Sequence, residues 1–189
     1  PVTPDDAALR GPPVFPHELA WRYPLNLYRE AVCPRMETAD EFHFAAAITI
    51  IGLLIGRSLH VRYPTPHYCN FFSCLVGPTA KAMKTTAMGV ARDEILNPLL
   101  DSRRAARRYF HVEYSMGGSG EGLLERLADD SPVGGNRMLL YIPELSSLLR
   151  KMRQTGSTLH PLLLQAADAE PTITLATRRR PLVATSALL

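Results

Sequence analysis

The chain has 189 residues, of which 46% are hydrophobic and 21% charged, and its mean hydropathy of -0.04 is ordinary for a soluble globular protein. This length suits one well-buried domain. The net charge of +3 is too small to indicate nucleic-acid binding by itself.

Cysteine usage and hydropathy both favour the cytoplasm. The three cysteines Cys33, Cys69 and Cys74 form no CxxC pair and have no histidine at ligand spacing, which argues against a zinc site or a disulfide framework. The most hydrophobic window, FHFAAAITIIGLLIG (42–56), is shorter than the ~20 residues that span a bilayer, so we expect a buried helix and no membrane. The N-terminus lacks the pattern of a signal peptide.

The first part of the chain is predicted to be helical. Residues 1–16 are rich in Pro, Asp and Ala and are expected to be a linker that follows an upstream segment. Residues 17–56 are predicted to form an N-terminal helical segment, interrupted before Pro24. Thr38 and Glu41 have the spacing of a capping box ahead of an apolar helix that continues to about Gly56.

Residues 57–189 are predicted to alternate strands with helices. The predicted strands are 57–63, 70–76, 109–115, 136–142 and 182–189, and the predicted helices are 84–101, a short helix after MGGSGEG, 143–154 and 160–168. Such alternation indicates an α/β fold with a mainly parallel sheet. Because the last strand continues to the final residue, the core is expected to be truncated at its C-terminus.

The stretch CLVGPTAKAMKTTAM (74–88) is a candidate phosphate-binding loop between a strand and a helix. Backbone amides and a helix N-terminus bind phosphate, a lysine reaches the β and γ phosphates, and a hydroxyl holds magnesium. Lys84 follows Gly77 by seven places rather than the standard six, and Ala82 and Met83 stand where the second glycine is expected. The alternative is a strand-to-helix turn with Lys84 in solvent and Thr85 as an N-cap.

A second candidate site residue follows another apolar strand. MLLYIPE (138–144) ends in Glu144, about sixty residues after Lys84, where an ATPase of this kind places the acids that hold magnesium and polarise water. Pro143 occupies the position of the usual aspartate. The alternative is that Glu144 is an acid in the first turn of a helix, which the helix dipole favours.

These motifs occur in an order that resembles a P-loop ATPase family of bacterial and phage mobile elements and primase-helicase replication proteins, often described only as a domain of unknown function. The resemblance extends from about Phe15 to the end of the chain. It is carried by ETADEFHFAAAITIIGLLIGRSLHVRY, LVGPTAKAMKTTAM, SGEGLLERL and LLYIPELSSLLRKMRQTGSTLHPLLLQAAD. The family's loop pattern is similar to that of Gly77, Thr79, Lys84, Thr85 and Thr86.

The resemblance implies a three-layer α/β/α P-loop NTPase core with a mainly parallel sheet. It implies that Lys84 binds the β and γ phosphates, Thr85 ligates Mg²⁺, and Glu144 orients the attacking water beside the metal. The nucleotide-binding residues would be Gly77, Pro78, Thr79, Ala80, Lys81, Ala82, Met83, Lys84, Thr85 and Thr86.

The chain departs from the family at two positions, because the family has an acid at Pro143 and a basic residue at Met83. Asp168 is an alternative carboxylate. Ser119 and Glu121 have no assigned chemistry, and a capping serine with a first-turn acid explains them equally well.

Basic side chains have two interpretations. Arg103, Arg104, Arg107 and Arg108 form a helical stripe that suits DNA phosphates or a neighbouring subunit's nucleotide, or else a solvated helix face. Arg178 to Arg180 suit an arginine finger acting in trans, or solvent.

The resulting expectation is an ATP-binding and ATP-hydrolysing, helicase-like core that acts on DNA in replication or mobile-element maintenance, as a homo-oligomer. The alternative functions are a catalytically degenerate scaffold in a replication or defence complex, and an unrelated α/β enzyme in which Lys84 is structural.

Overall fold

The architecture is mainly helical, with short strands between the helices. The computed structural model describes residues 14–78, 82–102, 110–114, 119–128, 137–175 and 182–185. Within them the helices are α1 His17–Ala20, α2 Leu25–Val32, α3 Asp40–Ile55, α4 Lys84–Ala91, α5 Asn97–Ser102, α6 Gly120–Leu127, α7 Leu145–Met152 and α8 Leu159–Ala167. The strands are β1 His60–Arg62, β2 Pro66–Tyr68, β3 Phe110–Tyr114, β4 Arg137–Tyr141, β5 Thr172–Leu175 and β6 Leu182–Thr185. A π-helical stretch, Arg92–Leu96, joins α4 to α5.

Helix α3 contains the apolar run of the sequence. Asp40 and Glu41 lie in its first turn, where acidic side chains complement the helix dipole, and Gly56 follows its end. The predicted apolar helix ending near Gly56 is therefore confirmed. The predicted capping box is wrong, because Ala39 is the N-cap and the buried Thr38 hydroxyl has no hydrogen-bond partner in the part of the chain that the structure describes.

Strand β4 lies between two hydrophobic clusters and contributes a side chain to each. Its alternating side chains place Leu139 with residues of α3 and α4, while Met138 joins residues of α6, α8, β5 and β6. The first cluster contains Ala46, Ile50, Leu53, Ala91, Leu96 and Leu139. The second contains Leu123, Leu124, Leu127, Met138, Leu159, Leu162, Ala166, Ile173, Leu182 and Ala184.

The described strands form three separate two-stranded pairs. Pair β3–β4 is parallel, with Phe110 opposite Arg137, whereas β1–β2 and β5–β6 are antiparallel. The predicted three-layer α/β/α P-loop NTPase core with a mainly parallel sheet is therefore wrong, since no described sheet has more than two strands.

The fold prediction fails chiefly at residues 70–76, which were expected to form a buried strand. They run without strand pairing along α3, where Gly52 lets the Cys69 carbonyl and the Phe71 ring approach more closely than a Cβ would allow. The hydroxyls of Thr49 and Ser73 are 2.6 Å apart and fix the same contact. The segment thus contacts α3 and belongs to none of the described sheets, so the predicted strand at 70–76 is wrong.

The end of the chain pairs with a strand that the pattern did not reveal. Strand β6 confirms a strand within the predicted 182–189, but it lies antiparallel to β5, with Thr172 opposite Thr185. The buried side chains of this pair are Ile173 of β5 and Leu182 and Ala184 of β6. The short, half-polar sequence of β5 gave too few alternations to predict it.

Candidate functional site

A cleft of about 340 Å³ lies beside the start of α4, a volume within the range of small-molecule sites. Its walls are Thr49 of α3, the extended residues 71–75, the first turns of α4, the end of β4, and helices α7 and α8. The lining is mostly apolar, whereas Lys84 and Thr85 place polar groups at the α4 wall. The cleft therefore combines a charged end with an apolar interior.

Helix α4 begins in the region of the predicted phosphate loop. Its N-cap is Met83, which adopts a left-handed conformation with φ 47°, and the amides of Thr86 and Ala87 donate to the Met83 carbonyl at 3.0 and 3.2 Å. A methionine in this conformation is strained, because its Cβ crowds the backbone. The earlier amides of the helix have no partner within it, so they remain suited to an anion.

Lys84 folds back over the loop. Its Nζ donates to the Gly77 carbonyl at 2.8 Å and lies 3.5 Å from the Pro78 carbonyl. The amide of Ala82 donates to the same Pro78 carbonyl at 3.2 Å. The two ends of the loop therefore meet, and no described carboxylate forms an ion pair with the ammonium.

The other predicted nucleotide-binding residues occupy different environments. Thr85 is exposed beside the cleft and Thr86 is half-buried. Gly77 packs so closely on Ala82 and Phe42 that an added Cβ would lie 2.9 Å from the Ala82 Cβ. Thr79, Ala80 and Lys81 lie outside the described residues.

Glu144 lies at the rim of the cleft rather than on a strand beside it. It is the exposed N-cap residue of α7, and its carbonyl accepts hydrogen bonds from the Ser147 amide at 3.1 Å and the Ser147 hydroxyl at 3.0 Å. Its neighbours Pro143 and Leu145 line the cleft, but Glu144 itself does not. The alternative carboxylate, Asp168, is exposed after α8 and is not part of the lining.

The described residues contain no ready-made metal centre. No group of three or more His, Cys, Asp or Glu side chains lies close enough together in this part of the chain to hold a metal ion. The Thr85 hydroxyl, with an oxygen from Glu144 or a phosphate, is the donor type that Mg²⁺ takes, usually together with water. A magnesium site at Thr85 and Glu144 therefore stays a prediction.

The cleft contains a polar pair that no sequence motif indicates. Thr49 donates to the Ala45 carbonyl at 2.7 Å, and its hydroxyl lies 2.6 Å from that of Ser73. Both side chains line the cleft. In the sequence, Thr49 and Ser73 each stand as a hydroxyl residue within an apolar run. This pattern does not indicate that the two runs contact each other.

Three titratable side chains lie near one another away from the cleft: Cys33 and His43 are buried, and Tyr28 is half-buried. The Tyr28 hydroxyl and His43 Nδ1 are 3.1 Å apart. Burial raises the pKa of Tyr28 and lowers that of His43, and burial with a contribution from Asp40 raises the pKa of Cys33 to about 11. A pKa this high means that Cys33 is a protonated thiol at neutral pH.

The remaining sequence candidates have structural roles or lie outside the described part. The Ser119 hydroxyl accepts from the Gly122 amide at 3.3 Å, so the capping interpretation of Ser119 is confirmed. The arginines of 103–108 and Arg178 to Arg180 lie outside the described residues.

The apolar helix is longer than its most hydrophobic window. With its 3-10 extension it covers Asp40–Ser58, which is long and apolar enough to cross a membrane. A mostly buried core helix passes the same test; 39% of this window is buried, and Ala46, Ile50 and Leu53 of α3 belong to the first hydrophobic cluster.

Comparisons with protein-family models, with curated proteins and with solved structures found no match.

Proposed function

We propose that the chain binds ATP with Mg²⁺ in the cleft, with the phosphates at the start of α4. The observation that carries the proposal is the position of the Lys84 ammonium. Lys84 lies in the first turn of α4 and lines the cleft, and its Nζ is 2.8 Å from the Gly77 carbonyl. Its charge is not neutralised by any described carboxylate. Phosphate oxygens are stronger acceptors for an ammonium than neutral carbonyls are.

Nucleotide binding at this place depends on local geometry rather than on a three-layer fold. A loop that ends at a helix N-terminus, a lysine in its first turn and an adjacent hydroxyl are sufficient to bind phosphate. The apolar interior of the cleft provides surface for the base and the ribose.

We expect Lys84→Ala to weaken binding of a fluorescent ATP analogue by at least about tenfold, because it removes a charge-assisted hydrogen bond. Binding is measured by titration with and without Mg²⁺. The matched control is Lys151→Ala on α7, since Lys151 does not line the cleft. A wild-type chain that binds no nucleotide, or a Lys84→Ala variant that binds as tightly as wild type, would contradict the proposal.

The resemblance to the P-loop ATPase family further implies that the chain hydrolyses the bound ATP as an oligomer that acts on DNA. In this scheme Thr85 ligates Mg²⁺ and Glu144 orients the attacking water. The Glu144 carboxylate is exposed at the rim and makes no ion pair with a described residue, so it is free to serve a nucleotide in the cleft.

We expect Glu144→Gln to retain ATP binding and to lower turnover by about a hundredfold or more, because it removes the group that orients water. Turnover is measured with Mg²⁺ and DNA at protein concentrations that favour oligomers. Glu125→Gln, an exposed acid on α6, is the control. Equal turnover by wild type and Glu144→Gln would exclude Glu144 from the reaction.

The second candidate is a scaffold that binds ATP without hydrolysing it. Pro143 in place of the first acid, together with the position of Glu144 outside the cleft lining, favours this function. Binding without turnover by wild type under the same conditions would identify the scaffold.

A further inference from the structure

The hairpin formed by β1 and β2 exposes an apolar row. We call residues 57–68 the hairpin surface. Leu59, Val61 and Tyr63 occupy alternate positions along it, and their side chains are 60%, 70% and 81% exposed. Alternate residues of a strand face the same side. Three large apolar side chains left in solvent on one side of a hairpin are typical of a binding surface.

The opposite side is basic and aromatic. The Arg57 guanidinium lies 4.6 Å from the centre of the Tyr68 ring, and His60 packs on the same ring at 5.6 Å. Arg62, two positions after His60, shares this side and is exposed. A guanidinium over the phenol ring, with an imidazole tilted against the same ring, places basic groups around an aromatic surface.

The hairpin is held firmly against the rest of the chain. Arg57 Nη2 donates to the Glu170 carbonyl at 2.7 Å and also to the Ala169 carbonyl. At the tip, the Tyr63 amide donates to the Thr65 carbonyl at 2.9 Å, and His67 Nε2 lies 2.8 Å from the Tyr63 carbonyl. The exposed tyrosine therefore lies on a turn whose backbone is already hydrogen-bonded, and such preorganisation lowers the cost of binding.

Charge selects the chemistry of the partner. The sequence from Phe42 to Arg92 contains no Asp or Glu, while Arg57 and Arg62 lie in the hairpin surface. Glu170 meets the hairpin through its backbone carbonyl at Arg57, at the opposite end of β1 from Tyr63. A surface that combines basic groups, an exposed aromatic ring and no acid of its own suits a polyanion with unstacked rings.

We propose that the hairpin surface binds single-stranded nucleic acid, with a base stacked on Tyr63 and phosphates beside Arg62 and His60. A strand that follows the outer edge of β1 contacts both sides of the hairpin, because successive residues of an edge strand face opposite sides. A duplex keeps its bases stacked and is a poorer ligand for Tyr63. This site is separate from the cleft and does not depend on ATP binding.

The test is fluorescence anisotropy of a labelled oligothymidylate of about 20 nucleotides at low salt, titrated with the full chain. Tyr63→Ala is expected to weaken binding by about tenfold, the effect of losing one stacked base. Tyr23→Ala is the matched control, since Tyr23 is 82% exposed but lies outside the hairpin surface. Circular dichroism confirms that each variant is folded.

Salt dependence tests the phosphate contact separately. Arg62→Ala is expected to reduce the slope of log affinity against log salt by about 0.7, the value for one phosphate of a single strand, whereas the exposed Arg22→Ala leaves the slope unchanged.

Three results would overturn the proposal: no binding by wild type at low salt, equal binding by Tyr63→Ala, or equal affinity for a duplex of the same length. If Tyr63→Ala dissociates an oligomer without lowering oligonucleotide affinity, the hairpin is instead a contact between copies of the chain. Binding of the fluorescent ATP analogue is measured on the same variants. Normal ATP binding by Tyr63→Ala, with normal oligonucleotide binding by Lys84→Ala, shows that the two sites succeed or fail independently.

Discussion

At the scale of single residues, His43 combines full burial with an incomplete set of hydrogen bonds. Its Nδ1 lies 3.1 Å from the Tyr28 hydroxyl, while Nε2 is buried and has no hydrogen-bond partner among the described residues. Burial lowers the pKa of His43 below its usual 6.5, and the negative charge of Asp40 partly opposes this change. The neutral imidazole is therefore the form that the folded chain accommodates.

We expect acid to destabilise the fold through His43. Because the folded-state pKa is below the unfolded value, the unfolded chain binds the proton first as the pH falls below 6.5. The free energy of unfolding then decreases by up to about 1.4 kcal/mol per pH unit until the folded-state pKa is reached. Urea unfolding of wild type and His43→Gln at about pH 7.5 and about pH 5.5 measures this contribution.

The His43→Gln variant should be less stable than wild type at neutral pH but lose less stability on acidification. His160→Gln on α8 is the control, because His160 is exposed. An unchanged pH dependence in His43→Gln would show that protonation of His43 is not the cause.

At the scale of elements, side chains from distant parts of the sequence cap the C-terminal ends of two helices. Arg137 Nη1 donates to the Leu54 carbonyl of α3 at 2.7 Å. Asn70 Nδ2 donates to the Ala166 and Ala167 carbonyls of α8 at 3.1 and 3.0 Å. The last carbonyls of a helix lack partners within it, and a positive charge there complements the dipole.

We expect Arg137→Met to lower the free energy of unfolding by about 1–3 kcal/mol, because it leaves the partly buried Leu54 carbonyl at the end of α3 without this donor. Burial lowers the pKa of Arg137, because its guanidinium is partly removed from water. Arg153→Met, at the exposed C-cap of α7, should cost less than about 0.5 kcal/mol. Denaturant unfolding measures both, and equal losses would show that the Arg137 contact is not specific.

Local pattern predicted most elements but not their pairing. The strand within 109–115, the strand within 136–142 and the helices at 143–154 and 160–168 were recognised, because each carries its own periodicity. The course of residues 70–76 depends on Gly52 and Thr49 of α3, whose contacts with this segment no local pattern contains.

The sequence likewise predicts some features of the candidate site and not others. A helix that begins at Lys84 follows from the sequence around it, and so does the position of Thr85 in its first turn. The return of the lysine to Gly77 and the placing of Glu144 at the rim depend on the loop and on the approach of β4, which the sequence does not reveal.

At the scale of the whole molecule, β4 links the two hydrophobic clusters through adjacent side chains that face opposite ways. Met138 belongs to the cluster of α6 and α8, and Leu139 to that of α3 and α4. Arg57, Asn70 and Arg137 add hydrogen bonds between the N-terminal and C-terminal parts of the chain. Unfolding of β4 removes a side chain from both clusters at once. We therefore infer that the two clusters unfold as a single cooperative unit.

We expect Met138→Ala to destabilise the N-terminal part as much as the C-terminal part. The substitution creates a cavity in the second cluster and should lower the free energy of unfolding by about 2–5 kcal/mol. Trp21, the single tryptophan, is buried against Phe44 of α3 and reports the N-terminal part by fluorescence, while circular dichroism reports all helices. Both signals should shift to the same lower urea midpoint, and the exposed Leu164→Ala on α8 should shift neither by much. A Trp21 midpoint that stays at the wild-type value while the circular dichroism midpoint falls would instead mean that β4 transmits no stability and that the two clusters unfold separately.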